Sequence, residues 1–222
     1  MSIQCVLFDL DGTLLDTSYD FTYALNRVCD EYHQPRQTYQ DIRKVVSQGG
    51  LAMTKLAFPE LEGDALETRR QRFLEIYFEN IHLHTQLFPG LLAGMQALAE
   101  QQIPWGIVTN KPTWLTEKLL ASFAFPSPPL TLICGDTLEV RKPDPEPMWL
   151  AAKECGIEPE NCLYIGDHPR DIEAGIKANM KTAAALFGYL PENAGDNDWP
   201  ADYHFATPYE ISTFIQQLGA NA

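Results

Sequence analysis

The sequence predicts an α/β protein built on a doubly wound parallel sheet, with a small all-helical module inserted after the first strand. Two observations predict this fold. Short apolar runs alternate with helical runs along most of the chain, which is the order typical of a parallel sheet covered by helices on both sides. Between residues 16 and 86 only helical periodicity is found, so this stretch is expected to form a separate helical insertion.

The N-terminal half begins with the apolar run of residues 3–8, which is typical of a buried parallel strand. Three stretches with apolar side chains at three- and four-residue spacing follow, and they begin near residues 18, 38 and 64. Thr38 is the expected start of the second of these helices. No strand is predicted between residues 16 and 86. We therefore predict a core of residues 1–15 and 86–222 and a helical insertion of residues 16–85.

Strand-like and helical runs alternate regularly in the remainder of the chain. A glycine, Gly156, is expected to end the helix that starts at Pro145. Thr207 and Glu210 form the pattern of a capping box, with Pro208 at the first helical position of the last helix. The predicted strands of this half are residues 105–109, 130–134, 162–165, 181–186 and 203–205.

Polar side chains collect where four of the predicted strands end. In open parallel sheets the functional site lies beyond the carboxyl ends of the strands. Asp9 and Asp11 are two residues apart in an extended chain, so their carboxylates point to the same side. Neighbouring carboxylates repel each other unless a cation or a proton lies between them, which indicates a metal site. The other polar residues at strand ends are Thr109, Asn110, Lys111, Arg141, Lys142, Asp167 and Asp171.

The string Asp9-Leu10-Asp11-Gly12-Thr13, at the end of an apolar strand, resembles the first motif of the haloacid dehalogenase superfamily. The polar residues at the other three strand ends resemble its further motifs, in the right order. The resemblance implies a phosphatase whose catalytic residues are Asp9, Asp11, Thr109 and Lys142. In such an enzyme Asp9 attacks phosphorus and forms an aspartyl-phosphate, and Asp11 serves as general acid and then as general base.

The same resemblance implies Mg²⁺ as the cofactor. Its expected ligands are the side chain of Asp9, the backbone carbonyl of Asp11 and the side chain of Asp167, with Asp171 holding metal-bound water. These are hard oxygen ligands, which Mg²⁺ prefers. The family also places a helical cap after the first strand, and the insertion corresponds to that cap. The expected substrate-binding residues, in the core and in this cap, are Thr109, Asn110, Lys142, Arg43, Gly49 and Gly50.

Longer segments resemble the phosphoglycolate phosphatase-like branch of the superfamily, and most of all the phosphatases that act on N-acetylmuramic acid 6-phosphate. They include residues 45–50, 87–90, 105–112, 142–147 and 196–202. The resemblance implies a small phosphorylated metabolite as substrate. His168, directly after Asp167, departs from the usual pattern, and we expect it to be a spectator. Sugar-phosphate mutases share every core motif, so a mutase is the alternative within the superfamily.

Two non-enzymatic alternatives also fit part of the pattern. Receiver-type phosphoacceptor switches likewise place acidic residues, a threonine and a lysine at strand ends. The helical insertion and the second acidic pair, Asp167 and Asp171, count against a switch. A catalytically silent binding protein is the other alternative, although every core position is filled.

The amino-acid composition limits the possible binding partners of the protein and its expected cellular location. The 222-residue chain has a formal net charge of −14, which argues against nucleic acid because phosphate backbones need basic patches. Five cysteines at irregular spacing indicate reduced, structural side chains and no zinc site. No leader and no long apolar span are evident, so no membrane partner and a cytoplasmic location are predicted. The oligomeric state, monomer or dimer, is left open.

Overall fold

The computed structural model describes residues 3–190 and 199–219. Part of one family-like segment, residues 196–198, therefore lies outside the described residues. The strands, in chain order, are β1 (Cys5–Phe8), β2 (Leu15–Asp16), β3 (Gln86–Leu87), β4 (Trp105–Val108), β5 (Thr131–Ile133), β6 (Cys162–Gly166), β7 (Lys181–Ala185) and β8 (Tyr203–Phe205).

The main sheet of the described chain is parallel, with the strand order β5-β4-β1-β6-β7-β8. The first strand therefore lies in the middle, between β4 and β6. Phe8, its last residue, pairs with Ile107 of β4 and Ile165 of β6, so the three strands end side by side. This register brings the segments that follow residues 8, 108 and 166 to one edge of the sheet.

The helices are α1 (Ser18–Glu31), α2 (Tyr39–Arg43), α3 (Gly50–Ala57), α4 (Gly63–Glu79), α5 (Leu91–Glu100), α6 (Thr113–Leu120), α7 (Glu146–Cys155), α8 (Pro169–Lys177) and α9 (Pro208–Leu218). None of the helices in the described ranges combines the length and the apolar character that a bilayer crossing requires.

Alternation along β1 explains why helices cover both faces of the sheet. Cys5 and Leu7 belong to a buried cluster that includes side chains of α7 and α8. Val6 and Phe8 point the other way, into the larger cluster with side chains of α5 and α9. A strand that is buried on both faces reads as a continuous apolar run, which is the pattern that predicted it. All five cysteines are free and buried, as expected of structural residues.

The insertion, as we call residues 17–85 between β2 and β3, is helical. Helices α1 and α4 pack together, and the rings of Phe21 and Tyr77 stack with centroids 4.1 Å apart. Where the chain enters and leaves the insertion, β2 and β3 form an antiparallel ladder in which Leu15 pairs with Leu87 and Asp16 with Gln86. This ladder is too short to leave an apolar run in the sequence. The assignment of residues 1–15 and 86–222 to a core and of residues 16–85 to a cap stays a prediction.

The predicted parallel α/β fold is confirmed, and the predicted strands after residue 100 match the observed ones to within one residue at each end. Thr38 is the N-cap of α2 and accepts a hydrogen bond from the backbone N–H of Asp41. The predicted capping box at Thr207 is wrong, because that side chain makes no capping bond. Glu210 instead accepts a hydrogen bond from the backbone N–H of Ala206 at 2.8 Å.

Candidate active site

Asp9 lies directly after the central strand β1, and only 4% of the residue is exposed. Its Oδ1 accepts a hydrogen bond from the backbone N–H of Leu10 at 2.8 Å and lies 3.0 Å from Nζ of Lys142. Burial raises the pKa of Asp9, and the ammonium of Lys142 opposes this rise. The sheet order places this carboxylate between the ends of β4 and β6.

Lys142 is buried and fully hydrogen-bonded. Its Nζ donates to the backbone carbonyl of Val108 at 2.9 Å and to Oη of Tyr164 at 2.6 Å. It also lies 3.0 Å from Asp9 Oδ1 and 2.8 Å from Asp171 Oδ1. A buried ammonium is stable only when it is paired in this way. Lys142 therefore holds one oxygen of each carboxylate in a fixed position.

Three buried carboxylates form a candidate metal centre. Oxygen atoms of Asp9, Asp167 and Asp171 lie within 4.8 Å of one another. Burial raises the pKa of Asp167 well above its ordinary value, and the charges of the other two carboxylates add to the shift. Only one lysine, Lys142, forms an ion pair with these carboxylates among the described residues. A hard divalent cation would relieve the remaining repulsion, so the donor set fits Mg²⁺.

Two glycines let the backbone pack closely against Asp167. A Cβ on Gly12, whose φ is +88°, would lie 2.1 Å from Asp167 Oδ2, and a Cβ on Gly188 would lie 2.2 Å from Asp167 Cβ. The carboxylate also accepts hydrogen bonds from Thr13 Oγ1 at 3.3 Å and from the backbone N–H of Tyr189 at 2.6 Å. Gly12 and Thr13 of the first motif thus shape the pocket for an aspartate more than 150 residues away.

Asp11 has a different environment from Asp9. Its side chain is 18% exposed, and its Oδ1 accepts hydrogen bonds from Thr17 Oγ1 at 2.7 Å and from Lys111 Nζ at 3.0 Å. Its Oδ2 makes no hydrogen bond with any described residue. The Asp11 carboxylate is also not part of the three-carboxylate group. A carboxylate with one oxygen held and the other available is suited to proton transfer.

The loop after β4 carries two of the predicted substrate-binding residues. Thr109 Oγ1 accepts a hydrogen bond from the backbone N–H of Lys111 at 3.2 Å. Asn110 Nδ2 donates to the backbone carbonyl of Lys142 at 3.0 Å, while its Oδ1 is buried without a partner. The loop is therefore held against the segment that carries Lys142.

His168 is the N-cap of helix α8 and does not belong to the group of three carboxylates. Its Nδ1 accepts a hydrogen bond from the backbone N–H of Arg170 at 3.3 Å, and its own backbone N–H donates to Asp171 Oδ2 at 3.0 Å. This is a capping box. Burial lowers the pKa of His168 to about 4, which favours the neutral ring that a capping acceptor requires. The box also fixes the second oxygen of Asp171.

A cavity of about 250 Å³ lies between the strand ends and the insertion. Six predicted site residues line it: Asp9, Asp11, Thr109, Asn110, Gly49 and Gly50. Lys142, Asp167 and Asp171 are not among the lining residues and are buried next to Asp9. The other lining side chains are Phe21, Val46, Ser47, Gln48, Met53, Arg70, Leu74, Lys111, Pro112, Leu115, Arg141 and Arg170.

Arg43 is not among the residues that line the cavity, and its expected contact with substrate stays a prediction. Its guanidinium donates to the backbone carbonyls of Phe187 and Gly188, the latter at 3.0 Å, and lies 5.0 Å from the ring centre of Tyr189. Nη1 also donates to Tyr39 Oη at 2.8 Å. With these partners, Arg43 fastens the insertion to the core.

Several residues of the site were given no role by the sequence. Arg70, Arg141 and Arg170 add positive charge to the cavity, and Lys111 contacts Asp11. The sequence places Lys111 and Arg141 at strand ends next to predicted motif residues, but it assigns neither of them a function. A lysine or arginine at a strand end is usually a solvated charge, so sequence alone gives no reason to bury it.

Comparison with known proteins agrees with this geometry. The sequence model of the haloacid dehalogenase-like hydrolase family matches residues 6–185, and the chain belongs to this family. It is 37% identical over 216 residues to an N-acetylmuramic acid 6-phosphate phosphatase of Pseudomonas putida, with 97% of each chain covered. It is 39% identical over 211 residues to a phosphoglycolate phosphatase of Xanthomonas campestris pv. campestris, with 94% of each covered.

Solved structures show the same fold. The crystal structure of a predicted phosphoglycolate phosphatase from Haemophilus somnus superposes with a TM-score of 0.86, at 24% identity, and covers 97% of this chain and 99% of that one. The predicted membership and the predicted enzyme class, a phosphoric monoester hydrolase of the haloacid dehalogenase type, are thus confirmed. The relatives are named phosphatases, which favours a phosphatase over a mutase, a switch or a silent binding protein.

Proposed function

We propose that this chain hydrolyses a small phosphomonoester, with Mg²⁺ as cofactor, through an aspartyl-phosphate on Asp9. The observation that carries this proposal is the position of Asp9. Its carboxylate is paired with Lys142, lies beside the carboxylates of Asp167 and Asp171, and faces the cavity. The side chains of Asp9 and Asp167 and the backbone carbonyl of Asp11 would hold Mg²⁺, with Asp171 bound through water. The cation lets an anionic phosphate approach an anionic nucleophile.

In the first step, an oxygen of Asp9 attacks phosphorus and the bond to the ester oxygen breaks. Asp11 gives its proton to the departing oxygen, so the product leaves as an alcohol. The hydroxyl of Thr109 and the backbone N–H of Asn110 donate hydrogen bonds to the phosphate oxygens, and Lys142 offsets negative charge beside the nucleophile. In the second step, Asp11 takes a proton from water, the water attacks the aspartyl-phosphate, and inorganic phosphate and free Asp9 result.

We further propose that the leaving group carries a carboxylate, as N-acetylmuramic acid 6-phosphate and 2-phosphoglycolate both do. Two cavity arginines support this. Arg141 makes no hydrogen bond or ion pair through its side chain with the described residues, and Arg170 adds a second guanidinium to the cavity lining, where its Nη1 donates to the backbone carbonyl of Ser47. The cavity also has an apolar part formed by Val46, Met53 and Leu74. A two-carbon acid would leave this part empty, so we favour the sugar acid.

Phosphate release from two matched pairs of esters tests this function. N-Acetylmuramic acid 6-phosphate is compared with N-acetylglucosamine 6-phosphate, and 2-phosphoglycolate with 2-hydroxyethyl phosphate. A charge-assisted contact with the carboxylate should make kcat/KM about 10- to 100-fold higher for the acid of each pair. Asp9→Asn should abolish release from all four. Unchanged turnover in Asp9→Asn, or full activity with Mg²⁺ chelated, would contradict the proposed mechanism. Equal kcat/KM values within each pair would contradict only the proposal that the enzyme recognises a carboxylate on the leaving group.

A further inference from the structure

Lys111 is a buried cation at the boundary between core and insertion, and the mechanism above gives it no role. Its side chain is 3% exposed. Nζ lies 3.0 Å from Asp11 Oδ1 and 2.9 Å from Tyr77 Oη. The same ammonium lies over the faces of two rings, 4.6 Å from the centre of Phe21 and 4.7 Å from that of Tyr77. Among the described residues Asp11 is its one anionic partner.

The contacts of Lys111 come from two parts of the molecule. Lys111 follows β4 of the main sheet, whereas Phe21 lies on α1 and Tyr77 on α4 of the insertion. Cation–π and hydrogen-bond contacts are strong in such a dry site. The ammonium therefore keeps this position only while the insertion is packed against the sheet. Without the two rings, water would surround Nζ and compete with its bond to Asp11.

Lys111 also determines how the Asp11 carboxylate is turned. Thr17 Oγ1 and Lys111 Nζ both donate to Oδ1, and Oδ2 has no hydrogen bond with the described residues. Two donors on one oxygen fix the rotation of the carboxylate, and Asp11 lines the cavity. Oδ2 is consequently the oxygen that is left to exchange a proton with the substrate.

We propose that Lys111 is a positioning residue that holds Asp11 for proton transfer and does so only while the insertion is docked. The inference rests on the proposed role of Asp11 as general acid. It makes proton delivery depend on α1 and α4, the two helices whose rings lie against Lys111. Tyr77 is the residue of the insertion through which this dependence acts.

Leaving-group dependence separates this role from a structural one. The p-nitrophenolate ion departs without a proton, whereas an alkyl alcohol must be protonated as it leaves. Loss of Asp11 positioning should therefore lower kcat/KM for an alkyl phosphate much more than for p-nitrophenyl phosphate. Damage to the fold or to phosphate binding would lower both alike. kcat/KM is the right quantity because it includes the step in which the leaving group departs.

The experiment compares Lys111→Met, Tyr77→Phe and Lys118→Met with the wild-type chain. Lys118 is the matched control, because its Nζ also lies over an aromatic ring of α4, 5.6 Å from the centre of Phe78, but does not contact Asp11. The ratio of alkyl to aryl kcat/KM should fall about 10- to 100-fold in Lys111→Met, part of the full general-acid effect. It should fall about 3- to 10-fold in Tyr77→Phe and stay within about twofold in Lys118→Met.

Equal losses on both esters in Lys111→Met and Tyr77→Phe would overturn the proposal, as would the same fall in Lys118→Met. If Lys111→Met does not fold, Tyr77→Phe decides, since it removes a single oxygen atom. Asp11→Ala should show the largest fall of all. If the wild-type chain is active and the ratio of alkyl to aryl kcat/KM does not fall in Asp11→Ala, the proposed role of Asp11 is contradicted. If the ratio falls in Asp11→Ala but not in Lys111→Met and Tyr77→Phe, only the inference for Lys111 is contradicted.

Discussion

The backbone N–H of Tyr189 donates to Asp167 Oδ2 at 2.6 Å, and the hydroxyl of the same residue holds the start of the insertion. That hydroxyl accepts hydrogen bonds from the backbone N–H groups of Thr17 at 2.7 Å and Ser18 at 2.9 Å, and donates to Asp16 Oδ1 at 2.8 Å. One buried tyrosine thus joins the candidate metal centre to the point where the chain enters the insertion.

Tyr189→Phe should destabilise the protein by about 1–3 kcal/mol, because two buried N–H groups lose their acceptor. In thermal unfolding this corresponds to a fall in Tm of several degrees. Tyr209→Phe is the control, since Tyr209 is 61% exposed and its hydroxyl makes no hydrogen bond with the described residues. A Tyr189→Phe protein as stable as Tyr209→Phe would show that water replaces the lost acceptor.

Magnesium should raise the melting temperature of the wild-type chain. A cation bound among Asp9, Asp167 and Asp171 stabilises the folded state by about 2.7 kcal/mol at a hundredfold excess over its Kd, or about 5–10 °C. Asp167→Asn should remove this response. Melting curves are recorded with MgCl₂ and with NaCl of the same ionic strength, and an equal rise in both salts would argue against a specific site.

Gly12→Ala should remove the metal response, whereas Gly49→Ala should keep it. Both glycines have a φ close to +89°, so each alanine is strained by about 1–2 kcal/mol or more. Only at Gly12 would the new Cβ meet a neighbour, 2.1 Å from Asp167 Oδ2, because nothing lies within 4 Å of a Cβ at Gly49. The measurement is the Mg²⁺-induced shift in Tm of each variant. If Mg²⁺ raises the Tm of Gly12→Ala as much as that of the wild-type chain, Asp167 can move away from the new Cβ without losing the cation.

Arg43→Met should loosen the insertion without weakening phosphate binding. The change leaves the carbonyls of Phe187 and Gly188 without their donor, but it removes no group that lines the cavity. Hydrogen exchange of the amides in α2 should become faster, and the inhibition constant of inorganic phosphate should stay within about twofold. A large rise in that constant, with unchanged exchange, would instead support the predicted contact of Arg43 with substrate.

The ion pair between Glu31 and Arg72 should stabilise the insertion only above mildly acidic pH. Arg72 donates to both carboxylate oxygens, at 2.9 and 2.7 Å, and these hydrogen bonds lower the pKa of Glu31. Because the folded pKa is below the unfolded value of about 4.3, the stabilisation is present above pH 4.3 and is lost as pH falls through the folded pKa.

Glu31→Gln should therefore reduce stability by about 0.3–1 kcal/mol at pH 7 and by almost nothing near pH 3. Urea unfolding at both pH values measures this difference. Glu100→Gln is the matched control, because Glu100 forms no ion pair with the described residues. If Glu31→Gln loses as much unfolding free energy at pH 3 as at pH 7, the loss comes from side-chain packing and not from the ion pair.

The strands and the residues at their ends could be predicted because both follow local rules. Apolar runs bounded by turns give β1, β4 and β6, and parallel strands place their carboxyl ends at one edge. Asp9 and Asp167 therefore converge although no local signal connects them. The helix α3 was missed because it begins at Gly50, next to a second glycine, and glycine disfavours helix.

What could not be predicted depends on contacts that leave no pattern in the chain. Arg43 binds backbone carbonyls 144 residues away, and any residue type can supply a carbonyl. The burial of Lys111 depends on two rings from separate helices, Phe21 and Tyr77. His168 acts as an N-cap, a position usually filled by a serine, threonine, asparagine or aspartate, so its type gave no hint of the role.

The ladder of β2 and β3 has a consequence for how such enzymes diversify. Because Asp16 stands opposite Gln86, the insertion departs and returns at neighbouring positions. Another module with equally close ends could be grafted there, and the spacing of the strands that carry the acids would not change. The new module would have to supply a residue equivalent to Tyr77, because Lys111 would otherwise lose the hydrogen bond and the ring contact that Tyr77 provides. Exchange of the inserted module would thus leave the sheet unchanged, but the new module would have to preserve the contact that positions Lys111.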